Sequence, residues 1–456
     1  MFTSVKRIHF VGIGGIGMSG IAEILINQGF EVTGSDLSQN ENTEYLASLG
    51  AKIIIGHKAE NLEGAEVVVY SSAVKIFENP EVSAALNLNI PVLRRAEMLA
   101  EVSRLNYCLA ISGTHGKTTT TSMCGLILIK AGFDPTVIVG GRLRGLGGTN
   151  ARLGKGEWTV VEADEYDRSF LQLLPTISVI NNIDAEHLDI YKDYDDLKQT
   201  FALFANKVPF YGFNAVCLDD AGVKDILPDI KKKIITYGLS KHCDFRVENI
   251  RFQGRSTFCK VLRNGEIIGE IEINIPGLHN VRNTLAAIAV ATGLGIEFNT
   301  IQQAIKEFTG VFRRFEIKGE RDGITIVDDY AHHPTEILAT LQAARTGWDK
   351  RIVCIFQPHT YTRTRDFYKD FGRSFDDADV LVLTDVYPAR EKPIEGISGK
   401  LIADYAIRSG HKNVIYIEKF IDLANEVKKI IKEGDLVITM GAGDIWKLAN
   451  QLLYDT

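Results

Sequence analysis

The chain has 456 residues, a formal net charge of −7 and a sequence pI of about 5.9. Its length predicts two or three domains, and its acidic balance argues against a nucleic-acid-binding protein. The six cysteines are widely spaced and form no Cys-x-x-Cys pair, which argues against a disulfide framework or a zinc site. The N-terminus lacks the pattern of a signal peptide, and no apolar run is long enough to span a bilayer. We therefore expect a cytoplasmic protein.

A glycine-rich turn follows the first predicted strand, residues 7–13, and leads into a predicted helix over 18–27. Its glycines are Gly12, Gly14, Gly15 and Gly17. Three of them fit the Gly-x-Gly-x-x-Gly pattern, and Asp36 ends the next strand at the distance expected of a ribose-binding acid. We interpret this segment as a site for a nucleotide with a diphosphate. The pattern leaves NAD, FAD and a UDP-sugar open.

Another strand, predicted over 67–70, ends at Ser71 and Ser72. Their hydroxyls are candidates for contact with the same ligand, and helix capping or turn formation is an equal alternative. Residues 91–104 read as a connector into a second domain.

A second glycine turn separates a predicted strand over 107–112 from a helix over 119–130. It consists of Gly113, Thr114, His115, Gly116, Lys117 and Thr118. This arrangement cradles the phosphates of a nucleotide, with Lys117 able to reach the β- and γ-phosphates and the Thr118 hydroxyl able to bind Mg²⁺. Ile111 stands where the usual motif has its first glycine, so a plain tight turn is the alternative.

Two further strands predict polar groups near this loop, because parallel strands present their carboxyl ends at one sheet edge. The strand over 158–161 precedes Glu162, and the strand over 176–180 leads to His187. His187 is a candidate metal or phosphate ligand, with a structural hydrogen bond equally open. Residues 243–275 alternate in polarity, and Asn264-Gly265 predicts a hairpin turn.

The last third of the chain reads as a β/α domain with clustered polar groups. Before it, at the end of the second domain, a helix beginning near Leu278 carries His279 and Asn283 on one face. The strand over 324–327 leads to the polar residues Asp328, Asp329, Tyr330, His332 and His333. The strand over 351–356 leads to Arg363 and Arg365. A histidine pair beside carboxylates can indicate a metal, but without a third well-spaced ligand we favour the binding of a small molecule.

These patterns predict an α/β protein of three domains. The first, residues 1–104, is Rossmann-like; the second, 105–312, is a P-loop ATPase-like α/β domain with a small antiparallel patch; the third, 313–456, is again Rossmann-like.

Together the segments resemble the Mur ligases of bacterial cell-wall synthesis, over nearly the whole length. The resemblance rests on residues 113–118, 162–165, 279–283, 313–315, 328–334 and 441–444. The shortened phosphate loop is the form that this family has. Residues 12–20, 332–336 and 357–366 are similar to the alanine-adding branch, which generally lacks the lysine that several sibling ligases carry; here that neighbourhood reads Thr200-Phe201-Ala202-Leu203. The peptide-recycling branch is the alternative within the family.

The resemblance implies an ATP-dependent, ADP-forming ligase that joins L-alanine to the carboxylate of UDP-N-acetylmuramate through an acyl phosphate. It implies catalytic roles for Lys117, Glu162, His187 and His332, and Mg²⁺ ligation by Thr118, Glu162 and His187. It implies ATP binding by Gly113, Thr114, His115, Gly116, Lys117, Thr118, Thr119, His279, Asn283, Arg314, Asp328 and Asp329. It implies UDP-sugar binding by Gly12, Gly14, Gly15, Gly17, Asp36, Ser71 and Ser72. It implies binding of alanine and of the acyl phosphate by Tyr330, His332, Arg363 and Arg365.

Other classes explain less of the sequence. A nicotinamide-dependent oxidoreductase accounts for residues 1–104 alone, and a nucleotide-gated switch accounts for the phosphate loop but not for the polar cluster around His332. The expected partners are small-molecule substrates, with neither nucleic acid nor membrane insertion, in a monomer or weak dimer.

Overall fold

The computed structural model describes residues 5–71, 73–104, 106–141, 149–185, 190–389 and 391–454. Strands in this part of the chain form sheets of five, ten and six strands with helices between them, which confirms the predicted α/β class. The chain packs as two compact units. The first comprises Met1–Glu248, Lys260–Ile271 and Arg282–Phe308, and the second comprises Asn249–Cys259, Glu272–Val281 and Thr309–Thr456. The boundaries at 104/105 and 312/313 stay a prediction.

The first sheet has the strand order β3-β2-β1-β4-β5 and is parallel throughout. Its elements are β1 (Arg7–Val11), α1 (Ile16–Asn27), β2 (Glu31–Asp36), α2 (Glu41–Ser48), β3 (Lys52–Ile55), β4 (Val67–Tyr70), α3 (Pro80–Asn87), β5 (Val92–Arg94) and α4 (Arg95–Ser103). Strands β2 and β3 lie on one side of β1, and β4 and β5 lie on its other side. The direction of strand addition therefore changes between β1 and β4, which is a topological switch point. Ligands of open α/β sheets bind at the carboxyl edge of such a point.

The predicted connector over 91–104 was wrong. Val92 pairs with Val68, so this segment supplies the edge strand and last helix of the first sheet. A strand of three residues is too short to show an alternating pattern in the sequence.

The second sheet has the order β15-β14-β13-β12-β11-β10-β6-β9-β7-β8. Its strands are β6 (Tyr107–Ser112), β7 (Thr136–Ile138), β8 (Ala151–Arg152), β9 (Trp158–Glu162), β10 (Ile177–Ile180), β11 (Phe213–Cys217), β12 (Ile234–Tyr237), β13 (Phe245–Gln253), β14 (Ser256–Arg263) and β15 (Glu266–Ile273). The helices that follow the same part of the chain are α5 (Lys117–Lys130), α6 (Tyr194–Ala205), α7 (Ala221–Ile226), α8 (Leu278–Gly293) and α9 (Phe298–Glu307). Strand β6 is central and parallel to β9 and β10, which brings three carboxyl ends together.

The predicted hairpin turn is confirmed. Asn264 and Gly265 both have positive φ, +50° and +88°, as a type I′ turn requires, and they join the neighbouring strands β14 and β15. Two residues are too few for a parallel crossover, so the pair is antiparallel.

The third sheet has the order β16-β17-β21-β18-β19-β20, in which β16 is antiparallel to β17 and the other pairs are parallel. Its elements are β16 (Glu316–Arg321), β17 (Ile324–Asp329), α10 (Pro334–Gly347), β18 (Ile352–Phe356), α11 (Tyr361–Gly372), β19 (Val380–Leu383), α12 (Gly399–Arg408), β20 (Val414–Tyr416), α13 (Leu423–Ile430), β21 (Leu436–Met440) and α14 (Trp446–Tyr454). Hydrophobic cores cover both faces, which is why these strands read as continuous apolar runs.

Among the described residues, no helix combines the length and the apolar character needed to cross a lipid bilayer. The six cysteines are buried and unbridged.

Candidate active site

The first glycine turn is held tightly between the ends of β1 and β2. Gly12 has φ +82°, and its N–H donates to the Ser35 carbonyl at 2.8 Å. The N–H of Gly14 donates to Asp36 Oδ2 at 2.8 Å, and a β-carbon at Gly14 would lie 2.5 Å from Asn40 Nδ2. Asp36 therefore orders the loop through its own carboxylate, a contact that the ribose prediction did not include.

Ser71 lies beside this turn, with its Cβ 3.2 Å from the position of a β-carbon on Gly12. Its N–H donates to the Val11 carbonyl at 3.1 Å, which continues the β1–β4 ladder to the switch point. Ser72 lies outside the described residues.

A cleft of about 230 Å³ opens at this carboxyl edge. Its lining residues are Tyr70, Val74, Ile76, Arg94, Arg95, Ala96, Tyr166, Asp167 and Ser169. Arg94 Nε donates to the Tyr70 hydroxyl at 3.2 Å, and the Arg95 guanidinium is 3.1 Å from where a β-carbon on Gly17 would stand. Sequence reasoning missed both arginines because it assigned them to a connector.

The phosphate loop leaves β6 and enters α5 as predicted, with helix α5 beginning at Lys117 itself. Gly113 and Gly116 have φ of +128° and +81°, so both positions favour glycine. A β-carbon at Gly113 would lie 3.0 Å from the Asn182 nitrogen, and one at Gly116 would lie 2.5 Å from Asn283 Oδ1. Asn283 therefore reaches the loop, and its role in nucleotide binding stays a prediction.

The segment after β10 supports the loop from behind. The His115 N–H donates to Asn182 Oδ1 at 2.7 Å, and the Asp184 N–H donates to the Thr114 hydroxyl at 2.8 Å. His115 Nε2 lies 3.3 Å from Asp184 Oδ2. Asn182 and Asp184 were not predicted as site residues, although their position directly after a buried strand is the signal that could have found them. His187 lies outside the described residues.

Two acids from the end of β9 face the loop. Glu162 Oε1 accepts from the Gly140 N–H at 2.8 Å, and its carboxyl is hydrogen-bonded to Thr118. Burial raises the pKa of Glu162, partly offset by these hydrogen bonds. Glu165 accepts from Lys117 Nζ through both oxygens, at 2.8 and 3.0 Å, and burial raises its pKa as well.

The remaining residues predicted for ATP lie on other elements. Thr119 is buried in the first turn of α5. His279 is the second residue of α8 and belongs to the second unit, and its ring lies 2.6 Å from where a β-carbon on Gly277 would stand. The second unit holds the rest.

In the second unit, Asp328 and Asp329 end strand β17 and are buried. Asp328 Oδ2 accepts from Arg313 Nε at 3.0 Å, and Asp329 accepts from the Phe315 N–H at 2.6 Å. Burial raises the pKa of Asp329 to about 6, opposed by nearby Arg314. Asp328 and Asp329 therefore hold in place the segment 313–315, which carries Arg313 and Arg314.

Tyr330 and His332 extend this cluster. The Arg314 guanidinium stands 5.3 Å from the Tyr330 ring centroid and donates to Glu336 at 3.4 Å. His332 Nδ1 lies 3.0 Å from the Tyr330 carbonyl and 3.2 Å from Glu336 Oε2. Its imidazole is therefore fixed in orientation beside an acid.

His359, which was not predicted as a site residue, completes the cluster. Its ring centroid is 6.0 Å from that of His332, and its ring stacks on Tyr387 at 5.7 Å. Burial, with the charges of His332 and Arg363, lowers the pKa of His359 to about 4. This ring is thus neutral at physiological pH.

The two predicted arginines of α11 lie in different environments. Arg363 interacts electrostatically with His359, whereas Arg365 is exposed and paired with Asp366 at 2.7 Å. Residues two apart on a helix point in nearly opposite directions, so the structure brings Arg363 to the cluster and leaves Arg365 on the surface.

Three family models match successive parts of the chain. Residues 7–107 match the model described as "Mur ligase family, catalytic domain", residues 111–291 match the Mur ligase middle domain, and residues 313–443 match "Mur ligase, glutamate ligase domain". The chain belongs to the Mur ligase family. The three matches follow the three predicted domains in order.

Individual relatives of this Mur ligase are similar over almost their entire length. The UDP-N-acetylmuramate–L-alanine ligase of Geotalea uraniireducens is 54% identical over 453 residues, covering 99% of this chain and 98% of the relative. The enzyme of the same name from Salinibacter ruber is 50% identical over 444 residues, 97% of this chain and 93% of the relative.

Solved structures agree. The UDP-N-acetylmuramate-alanine ligase of Thermotoga maritima superposes with a TM-score of 0.84 at 31% identity, covering 98% of both chains. A murein peptide ligase from Psychrobacter arcticus gives 0.72 at 25% identity, again over 98% of both chains. The peptide-recycling alternative is therefore the weaker match, and an oxidoreductase is not favoured.

Proposed function

We propose that this Mur ligase joins L-alanine to the lactyl carboxylate of UDP-N-acetylmuramate and cleaves ATP to ADP and phosphate. The observation that carries the proposal is 54% identity along 99% of the chain with a relative of that name. The site supports it with a glycine loop and lysine for phosphates, an arginine-lined cleft beside that loop's sheet, and a separate cluster of histidines and arginine.

Activation of the carboxylate comes first, because a carboxylate is a poor electrophile. It takes the γ-phosphoryl group of ATP and becomes an acyl phosphate, which the amine of alanine then attacks with release of phosphate. Lys117 screens the repulsion between the two anions, and the α5 N-terminus adds partial positive charge. The backbone N–H groups at the N-terminus of α5 are positioned to bind phosphate oxygens, whereas those of Thr114 and His115 donate to Asn182.

A Mg²⁺ ion fits the residues next to this loop. The Thr118 hydroxyl and the Glu162 carboxylate are hydrogen-bonded to each other, and oxygen donors of this kind are the ones that Mg²⁺ prefers. When bound, the ion neutralises charge on the transferred phosphoryl group. In the proposal His187 is a further ligand by resemblance to the family.

The sugar nucleotide occupies the cleft at the β1–β4 switch point. Arg94 and Arg95 supply the positive charge that a diphosphate needs, and Tyr166 offers an aromatic face. The glycine turn with Gly12, Gly14, Gly15 and Gly17 lies next to Asp36 and Ser71 at the same sheet edge. In the proposal, the UDP-sugar site therefore lies at the first sheet.

The amino acid binds at the cluster of the second unit. Arg363 pairs with the carboxylate of alanine, and Tyr330 and His332 orient the amine. Neutral His359, with its pKa of about 4, is available as a hydrogen-bond acceptor for the alanine ammonium. By resemblance to the family, Asp328, Asp329 and Arg314 contribute to ATP binding.

Phosphate release by the purified protein tests the proposal. The mixture contains ATP, Mg²⁺ and UDP-N-acetylmuramate, with L-alanine present or absent. We expect release that needs both the sugar nucleotide and alanine and falls by about 10²- to 10³-fold in Lys117→Ala, because one donor to transition-state charge is removed. Lys155→Ala, at an exposed lysine, is the matched control and keeps the rate.

Other outcomes redirect the assignment. Release only with a peptide in place of alanine would identify the recycling activity. No release with either would contradict the proposal.

A further inference from the structure

The ammonium of Lys117 is already engaged by oxygens around the phosphate loop. Its Nζ lies 2.7 Å from the Gly113 carbonyl, 3.2 Å from the Thr114 carbonyl, and 2.8 and 3.0 Å from the carboxylate oxygens of Glu165. An ammonium has three N–H groups, so these acceptors exceed its donors. A nucleotide phosphate at this loop therefore has to take Lys117 away from part of this set.

Glu165 is the acceptor that is hardest to abandon. Its side chain is 1% exposed, and its main-chain carbonyl accepts from the hydroxyl of buried Tyr191. Water cannot replace Lys117 around a carboxylate so enclosed, and an unpaired buried charge is strongly destabilising. Glu165 thus competes with the nucleotide for this lysine.

The residues on either side of Glu165 belong to the cleft. Asp164 Oδ2 lies 3.7 Å from Arg95 Nη2, and Arg95 lines the cleft. After Glu165, the lining residues Tyr166, Asp167 and Ser169 follow directly. Asp167 has φ +51° and Arg168 has φ +61°, which is a strained conformation for residues other than glycine. The acid that holds Lys117 is therefore part of a strained wall of the cleft.

We propose that Glu165 is a positioning residue that holds Lys117 back from the nucleotide until a sugar nucleotide occupies the cleft. The inference rests on the proposed function. A ligand diphosphate that binds Arg95 competes with Asp164, releases the strained wall over 164–169 and weakens the contact between Glu165 and Lys117. Lys117 is then available to the β- and γ-phosphates. Because coupling between two sites is reciprocal, each ligand increases the affinity for the other.

Binding measurements on the full chain test this device without turnover. The affinity for a non-hydrolysable ATP analogue with Mg²⁺ is measured with and without saturating UDP-N-acetylmuramate. In the wild type we expect the sugar nucleotide to tighten analogue binding at least about fivefold. In Glu165→Gln we expect the analogue to bind at least about fivefold more tightly than in the wild type without the sugar nucleotide, and the added gain from the sugar nucleotide to fall toward onefold.

Matched variants separate this effect from general damage. Glu157→Gln makes the same substitution at an exposed residue just before the other end of strand β9 and keeps wild-type affinity and coupling. Thermal unfolding checks that Glu165→Gln is folded. If it is not, Glu165→Asp retains the charge, shortens the reach by one methylene and shows the same changes to a smaller extent.

Two results would overturn the inference: wild-type or weaker analogue binding by the folded Glu165 variants, or full coupling retained in them. Failure of the wild type to bind the analogue or UDP-N-acetylmuramate at all would instead overturn the proposed function. The two failures are distinguishable because the second is measured on the wild type and needs no variant, whereas the first is measured on the Glu165 variants.

Discussion

The side-chain oxygen of Asn283 lies 2.5 Å from the point where a β-carbon on Gly116 would stand. Asn283 is buried on helix α8, and Gly116 is the last residue of the phosphate loop before α5. Gly116 also has φ +81°, a conformation that side chains disfavour. Two independent constraints, backbone and neighbour, therefore require glycine here.

Gly116→Ala is expected to lower the free energy of unfolding by more than the roughly 1–2 kcal/mol of left-handed strain, because Asn283 must also move. Affinity for ATP falls with it. Gly132→Ala is the matched control, since Gly132 has φ +80° and nothing within 4 Å of a β-carbon. Urea unfolding measures the free energy of unfolding of each variant, and ATP titration measures its affinity for ATP. Equal losses in the two variants would show that the contact with Asn283 carries no energy.

Arg363→Ala is expected to raise KM for alanine at least about tenfold, since a charge-assisted pair with a carboxylate contributes about 1.5–3 kcal/mol. Arg365→Ala is expected to change KM less than twofold, because Arg365 is exposed and paired with Asp366. Steady-state kinetics at saturating ATP and sugar nucleotide decide the matter. The reverse ranking would place the alanine site on the other face of α11.

His359 predicts a loss of stability in mild acid. Its pKa is lowered from 6.5 to about 4 in the folded state, so the unfolded chain binds more protons between these values. Stability contributed by the neutral ring is complete above pH 6.5 and is lost as pH falls to about 4, by about 3 kcal/mol.

Denaturant unfolding across this range measures the slope of stability against pH. We expect a flatter slope in His359→Gln, whatever its absolute stability, and an unchanged slope in His242→Gln, at an exposed histidine. An equally steep slope in His359→Gln would contradict the assignment.

Glu81 predicts a second loss in stronger acid. Burial opposes its charge, but the His9 ring 3.8 Å away and hydrogen bonds from Ser35 and Asn61 lower the pKa of Glu81 from 4.5 to about 2. The stability that it contributes is present above pH 4.5 and is lost as pH falls to about 2, again by about 3 kcal/mol.

Glu81→Gln is therefore expected to be less stable at neutral pH and to lack this part of the acid transition. Glu78→Gln, three residues earlier and exposed, is the matched substitution. Acid titrations followed by circular dichroism compare them. If the acid transitions of Glu81→Gln and Glu78→Gln coincide, Glu81 is not the group responsible.

The sequence by itself determined the α/β class and the strand–turn–helix arrangement of the phosphate loop. These features depend on local patterns: a buried parallel strand is a short apolar run, and a loop that approaches phosphates needs glycine at fixed places. The hairpin at Asn264-Gly265 was likewise predictable, because its turn type is chosen by two residues.

Only the tertiary structure decided which polar groups meet. Arg363 and Arg365 look equivalent in sequence, and helix geometry directs one to His359 and the other to solvent. Glu165 pairs with Lys117 across 48 positions, and the three-residue strand β5 brings Arg94 and Arg95 to the cleft. Such pairings arise where strands distant in the chain end at one sheet edge, and no local pattern encodes that meeting.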